Sequence, residues 1–96
     1  MLILITYDVS TQTDAGKRRL RHVAKCCQDY GVRVQNSVFE CVVDAAQLKL
    51  LQHRLQSLID PSADSLRFYT LGNRTPKNVV HIGAKPSADM EGSLIL

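Results

Sequence analysis

The chain opens on an unbroken apolar run, Leu2-Ile3-Leu4-Ile5, which continues through Thr6 and Tyr7 to Asp8 and Val9. Such a run predicts a central strand, covered on one face or both. Ser10-Thr11-Gln12-Thr13-Asp14 is rich in residues that cap helices and stabilise turns, and Gly16 places the start of a helix there or shortly before. From Ala15 to Tyr30 the period becomes helical. At about 100° per residue, Leu20, Val23, Ala24, Cys27 and Tyr30 share an arc of about 120° that faces the sheet. Lys17, Arg18, Arg21 and Lys25 share a second arc, about 100° wide and on the opposite side. Gly31 is expected to end this helix in the left-handed conformation that glycine tolerates.

Val32–Gln35 and Val38–Val43 are β-branched and read as a hairpin closed by a tight turn at Asn36-Ser37. Asp44 caps a second helix, whose stripe is Leu48, Leu51, Leu55, Leu58 and Ile59, until Asp60-Pro61 stops it. Leu50 falls off that stripe. Leu66–Leu71 follows as a strand, and Val79–Gly83 as a short fifth strand after a loop. The order β-α-β-β-α-β with one more strand predicts an α+β, ferredoxin-like fold in which both helices cover one sheet face. A single domain is expected over residues 1–96, with 79–96 as the C-terminal strand and tail. The other sheet face is partly apolar, and four strands leave no place for a fifth. The expectation is therefore a homodimer in which open faces meet and each C-terminal strand pairs with the partner's sheet.

Composition agrees with a folded domain: 45% of the 96 residues are apolar and 22% charged, which excludes a disordered chain. With three Tyr, two Phe and no Trp, the core must rest on Leu, Ile and Val. The net charge of +3 is too small to name a partner by itself. Cys26, Cys27 and Cys41 are odd in number and form no C-x-x-C pair, so neither a disulfide framework nor a zinc site is expected. Reduced thiols and an N-terminus without a positive leader or a spanning segment predict a cytoplasmic protein with no membrane partner.

Asp8 is the first candidate for chemistry, because it stands where a central strand leaves the sheet and side chains can reach a cleft. The plainer alternative is a turn-forming Asp that accepts from a backbone amide. One carboxylate makes a poor magnesium site, since Mg²⁺ usually takes one or two carboxylates with substrate phosphates and waters. A two-fold axis near the strand ends would bring two copies of Asp8 together. The helix-one stripe is the second candidate, a field suited to phosphates that Arg33 could extend, against the alternative of a merely solvated face. Three of its four cations lie in the N-terminal half, which a helix dipole does not explain. His22, His53 and His81 share no metal-ligand spacing, and Ser37 and the thiols lack a recognisable base. No phosphate-binding glycine loop and no RNA-stacking aromatic pattern is present.

Three segments taken together carry a resemblance: Tyr7-Asp8-Val9, the helix segment Lys17–Lys25, and Gly31–Cys41 with its string R-V-Q-N-S-V-F-E. They closely resemble the CRISPR-associated Cas-two family, the small partner in spacer acquisition, and Val79–Pro86 looks like the versions found with subtype I-C systems. The resemblance implies a ferredoxin-like homodimer with C-terminal strand exchange. It also implies a metal-dependent endonuclease acting on RNA or DNA, with Asp8 as the catalytic magnesium ligand and manganese as a substitute, working beside the Cas-one integrase. Tyr7, Arg18, Arg19, Arg21, Arg33, Ser37 and Phe39 lie in matching motifs. Two mechanisms follow as expectations. In one, two Asp8 carboxylates hold Mg²⁺ across the dimer axis while Arg18, Arg21 and Arg33 hold the phosphate backbone. In the other, the dimer is a scaffold that binds DNA through Lys17, Arg18, Arg21, Lys25 and Arg33, and Asp8 is structural.

Overall fold

Burial of the odd-numbered residues of the first strand organises the molecule. The computed structural model describes residues 1–73 and 79–83. The elements are β1 (Leu2–Asp8), α1 (Asp14–Tyr30), β2 (Gly31–Gln35), β3 (Val38–Val42), α2 (Ala45–Leu58) and β4 (Ser65–Thr70). The sheet is antiparallel in the order β2-β3-β1-β4, so β1 is internal, paired with β3 on one side and β4 on the other. Ile3, Ile5 and Tyr7 alternate onto the helix-covered face, and the register sets Cys41 opposite Ile3 and Phe39 opposite Ile5. Against them α1 packs Val23, Cys26 and Cys27, and α2 packs Leu51 and Leu55, all buried. This is the expected β-α-β-β-α-β fold.

Local chemistry sets the helix starts. Thr13 Oγ1 accepts from the amide of Gly16 at 3.0 Å, capping α1. At α2, Asp44 Oδ1 accepts from the amide of Gln47 at 2.7 Å while Gln47 Oε1 accepts from the amide of Asp44 at 2.9 Å, a reciprocal capping box. Leu50, off the apolar stripe, is 55% exposed. No helix among the described residues is long and apolar enough to cross a membrane.

Two expectations need correction. Gly31 is not left-handed: its φ of −165° and ψ of −159° are extended, and the chain passes from α1 straight into β2. Glycine is required there by close packing, because a Cβ would collide with the Glu40 carbonyl and the Cys41 sulfur of β3. The segment Val79–Gly83 is not a strand in the single chain. Val79, Val80 and His81 instead line a cavity with Val34, Gln35, Val38 and Glu40, beside the β2–β3 hairpin without joining it. A strand exists only where a neighbour's backbone pairs with it, so the expected pairing would need a second chain. The rest of the expected tail, 84–96, lies outside the described residues.

Candidate functional site

The C-terminal end of β1 splits its last two side chains between the two sheet faces. Tyr7 turns to the helices, its ring 6.1 Å from that of Phe39 at an interplanar angle of 25°. Its hydroxyl donates to the Asn36 carbonyl at 3.3 Å, and its amide donates to the Ser37 carbonyl at 3.1 Å, so the hairpin turn is tied to the strand end. Burial raises the Tyr7 pKa, and the nearby Arg33 guanidinium acts in the opposite direction. Asp8 takes the open face, is exposed, and stands opposite Ser65 of β4.

A buried ion pair fixes the loop that follows Asp8. Asp64, whose side chain is wholly buried, accepts from Arg19 Nε at 2.7 Å and Nη2 at 3.3 Å. The same carboxylate accepts from the amides of Ser10 at 3.0 Å and Asp60 at 2.9 Å. The Arg19 hydrogen bonds hold the Asp64 pKa down at about 2. One side chain thus gathers the β1–α1 loop, α1 and the turn before β4. Arg19 is therefore a structural cation, and Asp64 is the residue that sequence reasoning missed. The available signal was negative: Arg19 does not belong to the arc of Lys17, Arg18, Arg21 and Lys25.

Those four cations are exposed on the outer surface of α1, as the helical arithmetic expects. The helix covers the sheet face opposite to Asp8, so the stripe and the carboxylate look out from different sides of the molecule. Arg33 stands apart from both. Opposite Phe39 in the β2–β3 register, it lays its guanidinium 5.3 Å from the centre of that ring, and its enclosed Nε has no hydrogen-bond partner. His22, His53 and His81 are exposed and scattered. Cys26, Cys27 and Cys41 are free and buried, with desolvation pushing Cys27 up to about 12 and Cys41 up to about 11, so they are inert as nucleophiles near neutral pH.

Among the described residues no three His, Cys, Asp or Glu side chains gather into a metal-holding group. Asp8 supplies one carboxylate, of the one or two that a Mg²⁺ site usually takes beside substrate phosphates and waters.

Comparison with known proteins adds to this geometry. The family model described as "CRISPR associated protein Cas2" matches residues 1–79. The CRISPR-associated endonuclease Cas2 of Halalkalibacterium halodurans is 62% identical over 95 residues, covering 99% of each chain. The CRISPR-associated endoribonuclease Cas2 of Nitratidesulfovibrio vulgaris is 60% identical over 96 residues, covering 100% of this chain and 94% of that one. The crystal structure of Streptococcus pyogenes Cas2 superposes with a TM-score of 0.76 at 55% identity, covering 86% of this chain and 100% of its own. The internal strand ending in an exposed acid, and the R-V-Q-N-S-V-F-E hairpin tied to it, are parts of a chain that belongs to the CRISPR-associated Cas2 family.

Proposed function

We propose that this chain is a CRISPR-associated, metal-dependent endonuclease that works as a homodimer, with Asp8 as its metal-binding catalytic residue. The observation that carries this reading is the exposed Asp8 carboxylate at the end of an internal strand, on the face that the helices leave open. Two similar relatives bear the printed names endonuclease and endoribonuclease, so the substrate is a phosphodiester backbone of RNA or DNA. Hydrolysis joins a water oxygen to phosphorus and breaks one ester bond, and the departing oxygen leaves as an alcohol carrying a proton. A bound Mg²⁺ would supply an acidified water and neutralise phosphate charge. The chain's own contribution is to hold oxygen donors rigidly: Asp8 is fixed on a paired strand, and its following loop is fixed by Asp64.

A second copy completes what one chain lacks. The open face carries Leu4, Val38, Val42 and Tyr69, of which Val42 is 52% and Tyr69 39% exposed, an apolar surface suited to an identical partner. Ile82, 90% exposed, and Val80, 81% exposed, belong to a segment that would gain backbone pairing along the partner's sheet edge. In the cell the dimer would act in spacer acquisition beside the Cas-one integrase. The direct test is metal removal. Purified protein should cut RNA or DNA oligonucleotides in Mg²⁺, lose the activity in a chelator, and regain it on addition of Mg²⁺ or Mn²⁺; cleavage that persists in the chelator overturns the reading.

The exposed cation stripe of α1 favours a concurrent role as a nucleic-acid scaffold. Lys17, Arg18, Arg21 and Lys25 would bind backbone phosphates without reading sequence, and the affinity would fall with salt as counterions are released. Arg18→Glu with Arg21→Glu should weaken binding by at least about tenfold at low salt and flatten the log–log salt slope by about 2. Fluorescence anisotropy over a salt series measures both. Unchanged binding would make the stripe a solvated face.

A further inference from the structure

We propose that Arg67 grips the phosphate group that is cleaved at Asp8, a role that rests on the nuclease reading above. The strand register carries the argument. On β4, Ser65 stands opposite Asp8 and Arg67 opposite Thr6, so alternation puts Ser65, Arg67 and Asp8 on the same open face. Arg67 is then the diagonal cross-strand neighbour of Asp8, a step of about 7–8 Å that an arginine side chain spans. The strands hold one other arginine, Arg33, and its pairing with Phe39 turns it to the helix side. The cations of α1 look out from that same helix side. Arg67 is thus the cation that the sheet itself provides beside Asp8.

Within one chain its contacts leave it available. Arg67 is exposed, and its guanidinium rests 5.5 Å from the centre of the Tyr69 ring, on the side away from Asp8. Neither Arg67 nor Asp8 belongs to an ion pair among the described residues. A cation resting on an exposed ring is weakly held and gives way to a phosphate, whose oxygens match the guanidinium fork in two parallel hydrogen bonds. The need for such a group is electrostatic. A phosphodiester approaching Asp8 meets a like charge, and the state reached when hydroxide adds to phosphorus carries one negative charge more than the ground state, which a guanidinium beside it would offset. In a dimer joined through this face, a phosphate would have to reach Asp8 along the surface that also bears Arg67.

The test compares Arg67→Gln, Arg67→Lys and Asp8→Asn in the full-length protein, on one oligonucleotide that the unaltered protein cuts in Mg²⁺. Arg67→Gln should lower kcat/KM by about 100-fold, the usual cost of losing a charge-stabilising donor. Arg67→Lys should recover part of the loss, while thermal midpoint and sedimentation stay as in the parent; binding of the uncut oligonucleotide should lose about 1 from its log–log salt slope in Arg67→Gln and keep it in Arg67→Lys. Cleavage at the parent rate by Arg67→Gln, with Asp8→Asn inactive, overturns the role of Arg67 alone. A loss accompanied by an altered midpoint or sedimentation makes Arg67 a structural residue and also overturns it. Parent-like cleavage by Asp8→Asn would instead remove the nuclease reading on which this one depends.

Discussion

Asp8→Asn should abolish metal-dependent cleavage while leaving the fold intact. The amide keeps the shape of the side chain but loses the charge that binds a divalent ion, and metal assistance worth several kcal/mol corresponds to about a thousandfold in rate. The fold should not notice. Asp8 is exposed, and its place in the sheet comes from backbone pairing with β4, so stability should change by no more than about 0.5 kcal/mol. Cleavage assays in Mg²⁺ and a thermal melt of the same preparation measure the two halves. Nucleic-acid binding through α1 should survive, because the cation stripe lies on the other side of the molecule. Retained cleavage in a preparation free of contaminating nuclease would return Asp8 to the role of a turn residue.

Asp64→Ala should have the largest effect on stability, a loss of about 2–3 kcal/mol. The cost comes from what is left behind. The amides of Ser10 and Asp60 lose their acceptor together, and the partly exposed Arg19 loses its counter-charge. A shift of the urea midpoint reads the loss directly. The pH dependence should change as well. The carboxyl is held at about 2 when folded, against 3.8 as its ordinary value, so below 3.8 the unfolded chain binds the additional proton. The stabilisation is therefore complete above pH 3.8 and is lost as the pH falls toward 2. In Asp64→Ala this component of the acid transition should be missing, whereas an unchanged acid profile would show that Arg19 does not depend on Asp64.

Most of the framework could be read along the chain because it depends on short-range pattern. The Leu–Ile run of β1, the helical arc of α1, the Asp44 cap and the Asn36-Ser37 turn each rest on neighbours within a few residues, and each lies where expected. The position of Asp8, exposed at the end of that strand, was legible for the same reason. What escaped were relations across long sequence distances. Asp64 meets Arg19 across 45 residues, and nothing near either one in sequence announces the pair. Arg67 could be assigned a face only after the β1–β4 register was known, since its strand's alternation does not say which side Asp8 takes. Gly31 was misread because two demands call for glycine, a left-handed turn and a close approach, and only the position of β3 distinguishes them. Val79–Gly83 has strand-forming residues, but strand formation also needs an edge to pair with.

The internal position of β1 bears on how the chain is born. Among the four described strands, the first in sequence is flanked by β3 on one side and by β4, the last in sequence, on the other. Until Ser65–Thr70 emerge, one margin of a Leu-Ile-Leu-Ile segment stays without its neighbour, a sticky template for other nascent chains. Protection of that margin therefore waits for β4, and a translational pause in the α2–β4 stretch should lengthen the exposure of β1.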